Sequence, residues 1–469
     1  MPSQSSVVVG LYFYPRGGSA HATRAIARQL ARNDFDVRVI AGSRTDLGHH
    51  AEAGTFFPGL DLHPVDFTPA LASPDPIRFA DGPGTAPMHG SYEDRPGAED
   101  LVFAAVDDDA YELHVEEWSR ELVLAGGPQA DVLYLNHLTP LNEAAGRCAP
   151  GVPVVGHIHG SELLMLERMV DGGAGWPHAT KWRERMCGWA AACERLVVNS
   201  PEGLNRAAGL LDLDPERFLL IPNGFDAGFA PKEIDRRRHW RFHLVEEPQG
   251  WAPGRPEGSV KYREEDLSAL EGTTLVYSGR FTEVKRISLL IEAFGQARPH
   301  FDGPAALVLA GGFPGEWEGE HPLETIERLG ADDIYLAGWH DHEILPSFLN
   351  ASDVLVLASV REQFGQVVVE AMACGIPAIA IDRAGPASIL EDGESGWLIE
   401  PDDRDALADA MVEAVNDPAE RLRRGGLARA EALSKYSWEE VGERISAALE
   451  DVVEARSHRQ AKDALHSVR

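Results

Sequence analysis

Short apolar runs recur along the chain, with helical repeats between them. Val7-Val-Val-Gly-Leu11 reads as a buried strand, and Ala22, Ile26 and Leu30 repeat behind it at helical spacing. Val37–Ala41 is a second strand run, and Val132–Leu135, Val154–Val155, Leu196–Val198 and Leu219–Ile221 continue the series. A second series opens at Thr274-Leu-Val-Tyr277. The i, i+3, i+4, i+7 face of Ile287, Leu290, Ile291 and Phe294 follows it. Strand runs then come at Ala306–Ala310, Ile334–Leu336, Val354–Leu357, Ala378–Ile381 and Trp397–Ile399. The last helix carries an apolar stripe of Trp438, Val441, Ile445, Leu449 and Val452. Short buried runs separated by helices predict the α/β class, with parallel sheets covered by helices on both faces.

Two stretches interrupt this rhythm. From Gly54 to Gly97, 14 of 44 residues are Gly or Pro, which marks an irregular excursion within about 43–125. Lys232 to Gly272 holds the basic run Arg236-Arg-Arg-His-Trp-Arg241 and then a series of Pro and Gly. The domains expected are therefore 1–231, a linker or insertion at 232–271, and 272–434. A helix at 435–456 is expected to pack back toward the N-terminal domain, ahead of a polar tail at 457–469. The basic run reads as a solvated linker helix, the alternative being a contact for an anionic acceptor.

A length of 469 residues suits two domains, and 44% apolar with 25% charged residues is a soluble globular composition. The formal charge of −32 argues against nucleic acid and against stable docking on anionic lipid. No apolar run reaches the ~18 residues of a membrane span. The start, Met-Pro-Ser-Gln-Ser-Ser, lacks the regions of a signal peptide. Cys148, Cys187, Cys193 and Cys374 make no disulfide framework, so a reducing cytoplasm is the expected location.

The richest motif is Glu362-Gln-Phe-Gly-Gln-Val-Val-Val-Glu370, followed by Ala371–Pro377. A helix beginning near Gly365 or Gln366 leaves Glu362 in the loop before it and Glu370 about a turn inside. Its free N–H groups then face the same space as both carboxylates, an arrangement suited to phosphate and sugar hydroxyls. Gly279-Arg280-Phe-Thr-Glu-Val-Lys285 follows the first strand of the second series. Two cations at a helix start oppose the dipole, so they read as holders of a diphosphate rather than as solvated side chains. Gly17 and Gly18, in Tyr14-Pro-Arg-Gly-Gly-Ser-Ala20, form either an ordinary strand–helix turn or a close backbone approach to a ligand. In Gly156-His-Ile-His159-Gly-Ser-Glu162, His159 suits a hydrogen-bonding role and His157 a core position. A metal held by the two lacks a third ligand. Asp107-Asp-Asp109 resembles a metal-holding Asp-x-Asp but sits in an acidic stretch that reads as a solvated face.

In order along the chain, the Gly17-Gly18 turn, His159-Gly-Ser-Glu162, Ile221-Pro-Asn-Gly-Phe-Asp226, Gly279-Arg280 through Lys285, Gly338 and the Glu362–Pro377 block resemble the retaining family 4 glycosyltransferases of the GT-B fold. The resemblance implies two Rossmann-like domains facing across a cleft, with the donor held mainly by the C-terminal one. It assigns Arg280 and Lys285 to the diphosphate, Glu370 to the ribose and Glu362 to the transferred sugar. Phe364, Gly365 and Gln366 would offer backbone contacts, Gly18 would border the diphosphate, and His159 would reach the sugar. It further implies metal-independent transfer of a hexose from a nucleotide diphosphate sugar, as co-substrate, to a hydroxyl of a small soluble acceptor, with no other cofactor. The alternatives are a GT-B nucleotide-sugar epimerase or hydrolase, and a non-catalytic nucleotide-sugar binder.

Overall fold

The computed structural model describes residues 4–94, 99–172 and 175–467, with side chains to 461. The chain divides into two compact units, Met1–Asn223 with Trp438–Arg469, and Gly224–Ser437.

In the first unit, strands β1 (Ser6–Leu11), β2 (Asp36–Ser43), β3 (Asp61–Asp66), β4 (Val132–Asn136), β5 (Val154–Ile158), β6 (Arg195–Val198) and β7 (Phe218–Leu220) form one sheet. Its order is β3-β2-β1-β4-β5-β6-β7, and every pair is parallel. Alternation sends Val8, Ile40 and Leu133 to one apolar layer and Val7, Val9, Val39 and Val132 to the other. Helix Gly17–Arg32 and the C-terminal helix Trp438–Ser467 share the second layer, where Ile26 and Leu30 join Val441, Ile445 and Leu449. That last helix runs through Ser467, although a polar tail was expected from 457. Arg456 donates to the Asp131 carbonyl at 2.9 Å, and Arg459 pairs with Glu194 at 2.8 Å, so polar side chains anchor the extension. Residues 468–469 lie outside the described residues.

The excursion at 43–125 is more ordered than its composition predicts. Residues 95–98 lie outside the described residues. Strand β3 closes one edge of the sheet, where Pro64 is tolerated because an edge strand has one side without a ladder. Helix Asp108–Leu124 buries Tyr111, Val115, Trp118 and Leu122, and its acidic residues are mostly the other face of the same amphipathic helix. Asp107 caps it by accepting from Ala110 N at 3.0 Å. Glu121, fully buried, accepts from His63 Nε2 at 2.7 Å and from Gly84 N at 3.0 Å, which ties the 82–85 turn to the helix.

In the second unit, β8 (Thr273–Gly279), β9 (Ala305–Gly311), β10 (Ile334–Gly338), β11 (Val354–Leu357), β12 (Ala378–Ile381) and β13 (Gly396–Ile399) are again all parallel. Their order is β10-β9-β8-β11-β12-β13. The 232–271 segment, expected as a linker, packs into this unit. Trp240, Leu244 and Trp251 are buried in its core, and Gln249 bridges to Gly338 at the end of edge strand β10. Its apolar residues are sparse but large, so burial rests on two tryptophans that no periodicity announces. The basic run is engaged internally: Arg236 pairs with Asp353 at 2.8 Å, Arg241 with Glu246 at 2.9 Å, and Arg237 with Glu264 at 3.4 Å. Among the described residues, no helix is long and apolar enough to cross a membrane.

His114 offers a test of the first unit. The ring lies 2.6 Å from the Tyr12 hydroxyl at Nδ1 and 3.1 Å from the Ile77 carbonyl at Nε2, and burial pushes its pKa down from 6.5 to about 4. Between those values the unfolded chain binds the extra proton, so stability falls as pH drops through that window. The expected loss attributable to this imidazole is on the order of 2 kcal/mol at pH ~5 relative to neutrality. Thermal melts at the two pH values should show a smaller difference for His114→Gln than for the wild type. Equal differences would show that His114 does not titrate with unfolding.

Candidate active site

The second unit carries the denser constellation. Strand order reverses between β8 and β11, and in open parallel sheets such a switch point leaves a crevice at the carboxyl ends of the strands. The loop after β8 supplies Arg280 and Lys285, and the loop after β11 supplies Glu362. Lys285 Nζ and Glu362 Oε1 form a half-buried ion pair joining the two loops. The loops are also tied through backbone, with Val360 N donating to Val284 O at 3.0 Å. Tyr277, buried in β8, donates its hydroxyl to the Arg280 carbonyl at 2.7 Å and so fixes where that loop begins. Burial, and secondarily the charge of Glu362, pushes the Tyr277 phenol well above its ordinary pKa, which keeps it a neutral donor. Arg280 itself is exposed and has no ion pair among the described residues.

Helix Gln366–Ala373 starts where the motif predicts. Gly365 stands at its N-cap with φ 95°, a left-handed conformation that glycine adopts without strain. Phe364 is buried and packs 6.0 Å from the Tyr436 ring, while Gln366 Nε2 donates to the Gly224 carbonyl at 2.8 Å. These contacts hold the first turn, whose backbone N–H groups face the carboxyl end of the sheet. Glu370 is 2% exposed, and His342 Nε2 meets its Oε1 at 2.8 Å, leaving the other oxygen as the second acceptor.

Two participants escaped sequence reasoning. Gly385 N donates to the Glu362 carbonyl at 3.0 Å, and a Cβ there would meet Phe364 O at 2.1 Å, so only glycine lets this segment brace the loop. His342 lies four residues after Gly338, where the sequence offered only an unremarkable His within an acidic run.

In the first unit, Gly17 and Gly18 open helix Gly17–Arg32 after β1, and a Cβ on either would meet nothing within 4 Å. The space beside them is open, and Gly17 has φ 70°. His159 follows β5. Its Nε2 lies 2.9 Å from Asn136 Oδ1, and Asn136 donates its Nδ2 to the Gly10 carbonyl at 3.0 Å. That second bond orients the amide, so Nε2 of His159 carries the proton and Nδ1 is the lone-pair nitrogen. Desolvation first, then the neighbouring His157 and His137, hold His159 well below the ordinary imidazole pKa. His157 is a core residue, with Nδ1 2.8 Å from the Tyr134 hydroxyl and Nε2 2.8 Å from Asn199 Oδ1. Both of its nitrogens are engaged.

Glu162, completely buried, accepts from the His159 backbone at 3.0 Å and faces His137 Nδ1 at 3.2 Å. Burial raises its pKa, but His137 and the backbone donors outweigh that and hold it below the ordinary value. His137, with φ 68°, was not singled out from the sequence, since a lone His after a strand carries no motif. Asp107–Asp109 serves the start of its helix: Asp107 pairs with Arg78, and Asp108 with Lys181 and with Arg185, the last at 2.8 Å.

Two family models match, "Glycosyltransferase Family 4" over residues 110–229 and "Glycosyl transferases group 1" over 260–430. Together they cover more than half of the chain. A D-inositol 3-phosphate glycosyltransferase of Corynebacterium kroppenstedtii is 26% identical over 312 residues, which is 66% of this chain but only 64% of that protein's length. An alpha-D-kanosaminyltransferase of Streptomyces kanamyceticus is 26% identical over 63% of this chain and 70% of its own. Among solved structures, a sucrose-phosphate synthase of Thermosynechococcus elongatus matches at TM-score 0.64 and 18% identity, covering 96% of this chain and 100% of that one. Anabaena HepE in complex with UDP and glucose matches at TM-score 0.64 and 16% identity, with the same coverage. These structural likenesses carry the fold: two Rossmann-like units of parallel sheet with helices on both faces, as in GT-B proteins. With both family models matched in order along it, the chain belongs to the family 4-type glycosyltransferases of the GT-B fold.

Proposed function

We propose that the protein is a retaining hexosyltransferase that moves a hexose from a nucleotide diphosphate sugar to a hydroxyl of a small soluble acceptor, without a metal ion. The observation that carries this reading is the Lys285–Glu362 pair at the β8/β11 switch point, beside exposed Arg280 and the amino end of helix Gln366–Ala373. Breaking the anomeric C–O bond leaves negative charge on the diphosphate and an oxocarbenium-like sugar. Arg280, Lys285 and the helix N–H groups stabilise that leaving group, each preorganised donor being worth ~3 kcal/mol of barrier. A diphosphate that engages Lys285 releases Glu362, whose carboxylate then accepts hydrogen bonds from the transferred sugar.

Retention needs no enzyme nucleophile in this scheme. The acceptor hydroxyl attacks from the side of the leaving group and passes its proton to the departing phosphate. His159 acts as a neutral hydrogen-bonding group, because its pKa is depressed and its Nε2 proton is committed to Asn136, which leaves Nδ1 as an acceptor. The positive charge that a metal would supply comes from Arg280 and Lys285, and Asp107–Asp109 is already spent on a helix cap and ion pairs. A relative named for D-inositol 3-phosphate supports a small, hydroxylated acceptor, and HepE in complex with UDP and glucose supports a nucleotide-sugar donor.

Calorimetry with UDP, GDP and ADP provides the test. Lys285→Ala should weaken the best-binding nucleotide by about 2 kcal/mol, roughly thirtyfold, with unchanged circular dichroism. Unaltered affinity would place the diphosphate elsewhere. Glu370→Gln should weaken a nucleoside diphosphate more than inorganic pyrophosphate, whereas equal losses would remove Glu370 from the ribose. Incubating the wild type with nucleotide sugars and candidate polyols should give product only when both are present. Donor consumption without acceptor would instead mark an epimerase or hydrolase, and binding with no turnover a silent binder.

A further inference from the structure

We infer that Gln249 and Glu257, carried by the 232–272 segment, select guanine as the base of the donor nucleotide. The inference rests on reading the second unit as a nucleotide-sugar site. A cavity of about 190 Å³ lies beyond the ends of β9 and β10, lined by Gln249, Glu257, Phe313, Pro314, Trp339, His340, Asp341 and Ile344. Phe313, Trp339 and Ile344 are 49%, 37% and 41% exposed, so three large apolar side chains of this unit stay uncovered around one opening. The Phe313 and Trp339 rings meet edge to face at 5.6 Å, forming a wall suited to a flat heterocycle.

The cavity follows from the phosphate and ribose groups in the order that a nucleotide requires. The loop after β10 places Trp339 and Asp341 on the cavity wall and then sends His342 to Glu370 at 2.8 Å. Glu370 in turn lies four residues into the helix whose amino end faces the phosphate site. Phosphate, ribose and base are thus accommodated in sequence along one unit.

The polar groups of the cavity decide which base fits. Gln249 Oε1 is buried with no hydrogen-bond partner among the described residues, an acceptor whose isolation is costly until a ligand donates to it. The carboxylates of Glu257 and Asp341 are acceptors only. Guanine presents adjacent N–H donors on N1 and N2, which match a carboxylate and an amide oxygen side by side. Uracil offers one N–H between two carbonyls, which a carboxylate repels, and adenine one amino group beside a bare ring nitrogen. Gln249 is held for this task by its bridge to Gly338, where a Cβ would meet Gln249 O at 2.1 Å.

Calorimetric titration of the full chain with GDP, UDP, ADP and pyrophosphate tests the assignment. GDP should bind at least about tenfold more tightly than UDP or ADP. Gln249→Leu, and separately Glu257→Gln at an exposed position, should cut that advantage to about threefold or less while leaving pyrophosphate affinity and melting temperature unchanged. UDP or ADP binding as well as GDP would overturn the inference, as would variants that keep the wild-type ratio. Failure of all three nucleotides to bind would sink the donor-site reading and this inference with it; binding without a guanine preference sinks this inference alone.

Discussion

The ion pair between Lys285 and Glu362 is the contact on which the second unit's site depends. A parallel sheet sends each connection over one face or the other, and at the point where the direction changes the two adjacent loops part. Here the loops after β8 and β11 part and are then rejoined by one charge pair and by the Val360–Val284 backbone bond. A half-buried pair of this kind sets two opposite charges side by side at the switch point. On the proposed reading, an anionic ligand competes for the lysine and frees the carboxylate in the same event. In that reading, diphosphate binding is coupled to the release of Glu362 through one exchange of partners.

The first unit uses the same strand order for a different end. Its polar groups after β4 and β5 are turned inward: His137, His157, His159, Asn136 and Glu162 satisfy one another and the backbone. Such a network is rigid because each member fixes the next one's tautomer or amide orientation, and desolvation keeps His157 and His159 neutral. What it presents is a shaped set of hydrogen-bonding groups that orient one another. The second unit pairs charges at its switch point, and the first holds that network of polar groups.

Much of this was legible in the sequence because a buried parallel strand must be apolar on both faces. Every strand expected from such a run is present, and the helix after Gly365 begins where the motif placed it. The losses share a physical cause. Strand β3 is an edge strand whose His63-Pro64 breaks the pattern, and helix Asp108–Leu124 hides its apolar face behind a conspicuous acidic one. The 232–271 segment is held by buried Trp240, Leu244 and Trp251, by the Arg236–Asp353 pair and by the Gln249–Gly338 bridge, features that leave no period to read. Glu362, Lys285 and Glu370 stood out because they fall in short motifs, and the fold brings Lys285 and Glu362 together. His342 and Gly385 act on those same residues from distant loops, which only the folded backbone brings near.

The ends of β8, β9 and β10 explain why an inserted segment matters to the site at all. Gly311 at the end of β9 has φ 137°, and a Cβ there would lie 2.0 Å from the Gly279 carbonyl. Gly338 at the end of β10, with φ 78°, packs as closely on Gln249 O. These strand ends meet backbone to backbone, and neither glycine has a side chain to project over the sheet. On the proposed reading, such a floor lets a ligand approach closely but offers no side chain to tell related ligands apart. Discrimination therefore falls to side chains brought in from outside the strand ends, on the loops after β9 and β10 and on the segment that covers the open edge of β10. On the proposed reading, a longer segment there can change which donor is read while the charged groups at the switch point stay as they are.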